Sequence, residues 1–378
     1  MLAAVPSTGD SGKAGAAPGD DALRELCFSD AVFRERYEGW QVLGRGSWAT
    51  VVRTRSRDAG QDVALKILVN LDPELLQRLR EEARAVQALA TPYLVHTYSL
   101  FDRGTIAWFE MEVVEGPTLQ QELDRLAANG ERLPFVRACE IALAISRCVW
   151  HAHRHGVLHR DIKPANALLP VSGRPAAKLS DFGIARLADV SRATPPGTIT
   201  GTPRFASPES LSGQVVGPAH DVYGLATTLY ALFSGGRLPH AVPAGASLAL
   251  LRAIQLTGRP APLRGFAPEV EPRLERAIME GLSCDPAARP SARKVVLALE
   301  RAQVRAVAAL GREATGVAVS VSHFKIRILG LGSAVLRLGA RLLRRRRGVE
   351  ARGGLTEGGG GPAGSPPRRG GAPTARRR

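Results

Sequence analysis

The stretch His159-Arg160-Asp161-Ile162-Lys163-Pro164-Ala165-Asn166 sets a carboxylate, two cations and an amide within one short run, and Asp181-Phe182-Gly183 follows about twenty residues beyond Asp161. A carboxylate to orient a hydroxyl, cations beside it and two hard oxygen donors are what phosphoryl transfer requires, and such oxygens suit Mg2+. The four cysteines, Cys27, Cys139, Cys148 and Cys284, have no metal-ligand spacing, which argues against zinc chemistry. Upstream, Leu43-Gly44-Arg45-Gly46-Ser47-Trp48-Ala49-Thr50-Val51 places glycines between two apolar runs, where backbone free of Cβ atoms approaches an anion closely and offers its amides. Taken alone that pattern also fits an ordinary hairpin. The next apolar run ends in Val63-Ala64-Leu65-Lys66, a lysine 22 residues after Gly44. Further on come Gly201-Thr202-Pro203-Arg204-Phe205-Ala206-Ser207-Pro208-Glu209, then Asp221-Val222-Tyr223-Gly224, and finally Arg289.

These groups need elements to hold them. Trp40–Leu43, Thr50–Arg53, Val63–Leu68 and Ile106–Val114 read as strands, separated by Gly44, Gly46 and the polar turn Asp58–Gln61. Pro73–Leu89 reads as a helix capped by Asp72, with Leu75, Leu76, Leu79, Ala83 and Val86 on its apolar face. Glu82 lies four residues before Val86 on that inward stripe, whereas Glu81 does not, so Glu82 is the carboxylate able to meet Lys66. Beyond Gly116 the pattern turns helical, with long runs at Phe135–His155, Asp221–Ser234 and Pro272–Cys284. A strand-rich first third before a helix-rich remainder predicts two lobes with a cleft between them.

In this order and spacing the stretches resemble the eukaryotic-type Ser/Thr protein kinase family, most closely its bacterial branch, over about Tyr37 to Gln303. The resemblance implies an α+β, bilobal protein-kinase fold, with a small antiparallel-sheet lobe carrying one helix and a larger, mainly helical lobe, over residues 37–303. It implies that Leu43, Gly44, Gly46 and the loop up to Val51 cover the phosphates of ATP. Lys66 would contact the α- and β-phosphates with Glu82 as its ion-pair partner. Glu112 and Val114, after Met111, would bind adenine through their backbone, with Val51, Ala64 and Leu168 around the purine. Asp161 corresponds to the catalytic base and Lys163 to the residue that neutralises the transferred phosphoryl group. Asn166 and Asp181 correspond to the Mg2+ ligands. Phe182, His159 and Val86 would stack in the column that marks the active state. Glu209 and Arg289 would form a buried ion pair, and Asp221 would tie down the catalytic-loop backbone.

Lys163 two residues after Asp161, together with Thr202, implies protein Ser/Thr hydroxyls as acceptors. Arg160 implies that a phosphate on the activation segment, at Ser191, Thr194, Thr198 or Thr200, orders that loop by autophosphorylation. Two departures touch no catalytic group: Ala49 stands at the third loop glycine, and Ser207 stands where the family has alanine. The competing reading is a catalytically silent kinase-fold scaffold whose basic tail does the work.

Composition first points elsewhere. With 51 Lys+Arg against 35 Asp+Glu the net charge is +16, which invites a nucleic-acid or membrane-surface reading. The charge is concentrated, however: residues 301–378 hold 17 Lys+Arg and 3 Glu, so the remainder is close to neutral. Residues 317–347 form a basic amphipathic segment, with Ile328, Leu331, Val335, Leu338 and Leu342 on one side and Arg337, Arg341 and Arg344 on the other. An anionic membrane surface is its expected partner, ahead of nucleic acid, because Phe324 is the only aromatic there. Arginines interrupt every apolar window too soon for a transmembrane span. Residues 1–22 read as a disordered small-residue arm without a secretory signal, and residues 348–378 as a disordered Gly/Pro/Arg-rich tail. Cysteine usage suits a reducing, cytoplasmic compartment, with attachment at the membrane surface through the basic segment. Of the 51 basic residues only six are lysine, and two of those six are Lys66 and Lys163. A compact ammonium is not replaceable there by a guanidinium fork.

Overall fold

The computed structural model describes residues 19–46, 49–104, 106–182, 203–243 and 245–316. Five strands build the first lobe: β1 (Tyr37–Arg45), β2 (Ala49–Ser56), β3 (Gln61–Val69), β4 (Thr97–Asp102) and β5 (Ile106–Glu112). They form one antiparallel sheet in the order β1-β2-β3-β5-β4. Apart from Lys66, residues 63–69 of β3 are all apolar, because both faces of that strand are covered. Register places Val51 opposite Lys66, Ala64 opposite Met111 and Lys66 opposite Phe109, so these side chains share one face. That face meets helix α3 (Pro73–Gln87), whose Leu75, Leu79 and Ala83 pack on Ala49, Leu68 and Phe109. The expected cap is present: Asp72 accepts from the Leu75 amide at 2.7 Å, and Pro73 opens the helix.

The other face of the sheet is covered by two helices that the sequence reading left outside the domain, α1 (Asp20–Ser29) and α2 (Ala31–Arg36). Leu23, Cys27 and Phe33 pack there against Val52, Val63, Leu65, Ile67 and Trp108. The ordered body therefore begins by Asp20, within the stretch 1–22 expected to be an arm. Asp30 caps α2 by accepting from the Phe33 amide at 3.0 Å, which explains the sharp turn between the helices. Asp20 pairs with Arg45, so the start of α1 is tied to the glycine-bearing loop.

Beyond Glu112 the chain crosses into the second lobe through a tight passage. Gly116 has φ of +145°, and a Cβ there would lie 2.0 Å from the Leu169 carbonyl oxygen, so only glycine lets the linker pass. The second lobe contains α4 (Leu119–Ala128), α5 (Phe135–Arg154), α6 (Pro208–Leu211), α7 (Pro218–Ser234), α8 (Leu248–Thr257), α9 (Pro272–Gly281) and α10 (Ala292–Gly316). A short hairpin, β6 (Ala167–Leu168) with β7 (Lys178–Leu179), lies at its cleft side. Helix α7 is buried all round, as its nearly continuous apolar sequence requires, and forms the axis on which α5 and α9 pack. Helix α10 packs along α5 and runs past the expected boundary at residue 303, with Leu299 and Ala302 buried. No helix among the described residues is long and apolar enough to cross a membrane. The segments 317–347 and 348–378, and residues 1–18, lie outside the described residues.

Candidate active site

The cleft between the lobes gathers the residues singled out above. Lys66, projecting from the middle of β3, is buried at 7% exposure, with Val51 and Ala64 beside it on the same sheet face. Leu168 lies on β6 of the opposite lobe, in a backbone bridge with Thr118 just beyond the linker that carries Glu112 and Val114. The Glu112 side chain is engaged in bracing: it pairs with Lys178 on β7 and accepts from the His96 amide at 2.8 Å. Its backbone N–H donates to the His96 carbonyl at 2.9 Å, so the backbone is braced there as well. Leu43 and Gly44 are exposed at the end of β1, and a Cβ on Gly44 would meet nothing within 4 Å. Ser47 and Trp48 of this loop lie outside the described residues.

The catalytic-loop residues hold one another. Lys163 Nζ donates to Asp161 Oδ2 at 2.7 Å, and Asn166 Nδ2 donates to the same oxygen at 2.9 Å and to the Asp161 carbonyl at 2.8 Å. With its NH2 turned to Asp161, Asn166 keeps its carbonyl oxygen for another partner. Asp221, in the first turn of α7, accepts from the backbone N–H of His159 at 2.8 Å and of Arg160 at 2.7 Å. His153, from the last turn of α5, joins the same carboxylate at 2.9 Å. Burial works to raise the Asp221 pKa, but the His153 hydrogen bond and the nearby His159 outweigh it, and the group stays below the ordinary carboxylate range. Arg289 meets Glu209 in a bidentate pair at 2.7 and 2.8 Å, with the guanidinium fully buried. Burial opposes the charge of Glu209 as well, and Arg289 holds it below its usual value.

One expected pair is not formed. Lys66 Nζ donates to Asp181 Oδ1 at 2.5 Å, while Glu82 pairs with Arg160. Each cation is satisfied by the carboxylate nearest to it, and α3 is set so that Glu82 meets the catalytic loop instead of β3. Burial is the largest single influence at both acids, but it prevails only at Glu82. Glu82 is pushed above the usual range despite Arg160, whereas Lys66, with smaller help from His159 and Lys163, brings Asp181 below it. Phe182 is buried, and its ring centroid lies 4.3 Å from that of His159. Val86 packs against the same core and lines a small cavity with Phe182 behind Glu82. Ser180 donates to the Asn166 carbonyl from its amide at 2.9 Å and from its hydroxyl at 3.3 Å, joining the two segments that carry the oxygen donors. Gly183, the four candidate activation-segment hydroxyls, Gly201 and Thr202 lie outside the described residues.

Motif reading missed His153, Lys178 and Gln255, whose side-chain amide donates to the Ala206 carbonyl at 3.0 Å. Their only sequence signal is a polar residue in an otherwise apolar helix or strand, which tertiary contact alone converts into a role.

A five-stranded lobe with one inward helix, a helical lobe built on a buried axis, and a lysine–aspartate pair facing a braced carboxylate define a two-lobed phosphotransferase architecture. The family comparison agrees with that class, since the protein kinase domain family matches residues 37–298. The chain belongs to the protein kinase domain family, in its bacterial Ser/Thr branch. Serine/threonine-protein kinase PknA of Mycobacterium tuberculosis is 32% identical over 262 residues, covering 67% of this chain and 58% of that protein. PknB of Mycolicibacterium smegmatis is 36% identical over 210 residues, covering 53% and 33%. PrkC of Bacillus subtilis is 32% identical over 254 residues, covering 66% and 38%. The chain thus spans between a third and three fifths of the length of these relatives. Among solved structures, the PknI kinase domain of Mycobacterium tuberculosis superposes with a TM-score of 0.52 at 26% identity, covering 70% of this chain and 96% of that one.

Proposed function

We propose that this chain transfers the γ-phosphoryl group of ATP to Ser and Thr hydroxyls of proteins, its own activation segment included. The observation that carries this reading is the state of Asp161: its carboxylate is fixed by Lys163 and Asn166, and the backbone on either side of Arg160 is tied down. A carboxylate so held accepts the proton of an incoming hydroxyl without reorganising, and the Lys163 ammonium lies beside the phosphoryl oxygens that gain charge. Leu43, Val51, Ala64 and Leu168 enclose the purine, Glu112 and Val114 bind its edge through backbone groups, and Gly44 and Gly46 let loop amides reach the phosphates. Asp181 and Asn166 offer a carboxylate and an amide oxygen, a donor set that fits Mg2+. Held by those two residues, the ion would supply positive charge to offset that of the phosphates.

The pairing of Lys66 with Asp181 and of Glu82 with Arg160 describes a resting arrangement. A phosphate on the activation segment competes with Glu82 for Arg160, Glu82 is then released toward Lys66, and Asp181 is freed for the metal. The basic segment 317–347 would hold the enzyme at an anionic membrane surface. That is tested by comparing binding to anionic vesicles and to duplex DNA before and after truncation at residue 317, which leaves α10 whole.

Catalysis is tested by labelled-phosphate transfer from ATP to the chain itself and to a generic basic protein. Wild type should exceed Lys66→Met and Asp161→Asn by at least about a hundredfold, with all three equally folded. Equal incorporation would favour the silent-scaffold reading. Mapping the labelled residues tests Ser/Thr preference and activation-segment control together.

A further inference from the structure

The clamp on the catalytic loop has a second half, made by a residue that no motif brought forward. Asp221 takes the backbone N–H of Arg160, and the carbonyl of the same residue accepts from His220 Nε2 at 3.1 Å. Two consecutive residues in the first turn of α7 thus hold both backbone polar groups of Arg160. Arg160 has φ of +66°, a left-handed conformation that a long side chain takes only where its surroundings impose it. The peptide that His220 grips is the one leading into Asp161.

A carbonyl can only accept, so Nε2 of His220 carries a ring proton, and Nδ1 is left to face a second group. Its partner is the Ser207 hydroxyl at 2.7 Å. Ser207 is fully buried and His220 is 5% exposed. A hydroxyl and an imidazole taken out of water cost stability unless they are paired, and here they pair with each other. Ser207 is also the N-cap residue of α6, from which serine ordinarily bonds to the helix's own amides, yet it makes no such bond. Its hydroxyl is turned to His220 and to the Glu209 carboxylate instead. Ser207 ends the stretch Pro203–Ala206, and its neighbours are anchored too: Ala206 by Gln255 of α8, and Glu209 by Arg289. A continuous bridge therefore runs from this stretch through Ser207 and His220 to the Arg160–Asp161 peptide.

We infer that His220 is a positioning residue which, through Ser207, couples the anchored stretch Pro203–Ala206 to the peptide that leads into Asp161. The inference rests on the kinase reading and adds a determinant of Asp161 alignment to it. The test uses the full-length chain, with ATP and a generic basic acceptor protein each varied at steady state. Ser207→Ala and His220→Ala should each lower kcat about tenfold, with the KM for ATP changed less than about twofold. The double variant should fall no lower than His220→Ala alone, because both act through one bridge. His220→Gln, which keeps an N–H donor near the Nε2 position, should recover kcat to within about threefold of wild type. Unchanged kcat accompanied only by a lower Tm, multiplicative losses in the double variant, or a rise confined to the KM for ATP would each overturn the bridge. Should His220→Ala fail to fold, the comparison of Ser207→Ala with His220→Gln carries the same decision. Wild type no more active than Asp161→Asn would remove the kinase reading, and the bridge with it. An active wild type matched by its bridge variants removes the bridge alone.

Discussion

Replacing Glu209 by glutamine isolates the electrostatic part of its pairing with Arg289. The Arg289 side chain has 0% exposure and Glu209 11%, so water cannot take over the lost charge. Glutamine keeps the shape and one acceptor, but leaves the guanidinium with carbonyls only: Ala219 at 2.9 Å, Ser283 at 2.8 Å and Cys284 at 3.4 Å. Breaking a buried pair by removing one partner costs about 3–5 kcal/mol, and the remaining carbonyls favour the lower end, about 3 kcal/mol. For a domain of this size that is a fall in Tm of about 6–12 °C, read by calorimetry. Glu209→Gln combined with Arg289→Met removes the stranded charge, and should recover part of the loss instead of adding to it. A single variant within about 2 °C of wild type, or a double variant at or below the sum of the singles, would refute the claim that uncompensated charge sets the cost.

Phe33→Ala should cost about 3–5 kcal/mol in denaturant unfolding, since the ring is fully buried against Tyr37 and Trp108; a loss under about 1 kcal/mol would show that α2 is not part of the folding unit. Asp181, Glu209 and Asp221 all have depressed pKa values in the folded chain, so their contribution is present above the ordinary carboxylate range and is lost as pH falls through the folded values. Tm should therefore hold steady from about pH 6 to 8 and fall below about pH 4, and Asp221→Asn should lower the plateau while flattening that acid limb. A saturating ATP analogue with Mg2+ should raise Tm, and Asp181→Asn or Asn166→Ala should abolish the metal-dependent part of the rise; an undiminished rise would place the metal elsewhere.

Helix α3 could be read with its cap because Asp72, Pro73 and a 3.6-residue apolar stripe lie within a few positions of one another. Strand β4 escaped the same kind of reading. Its residues are almost all half-buried at the sheet edge, so no alternation marks it. Helices α1 and α2 escaped because charged residues fill their outer faces and only Leu23, Cys27 and Phe33 are fully buried. The β3 run held the missing clue. A strand covered on one face only would have alternated, so Val63, Leu65 and Ile67, on the face turned away from Lys66, required a cover of their own.

The proposed catalytic group could be assembled from sequence because its chemistry fixes the residue types, and short stretches of backbone fix their spacing: Asp161, Lys163 and Asn166 meet within one loop. Long-range pairing is another matter. Whether Lys66 takes Glu82 or Asp181 depends on where α3 sits against the catalytic loop, and both acids are within the reach of a sequence argument. The Ser207–His220–Arg160 bridge joins three segments whose residues are unremarkable one at a time. Sequence determined which groups could move a phosphoryl group, since covalent chemistry is local to the residue. Tertiary structure decided which charges meet and which backbone is held, because those energies depend on distance and burial that only the packed chain supplies.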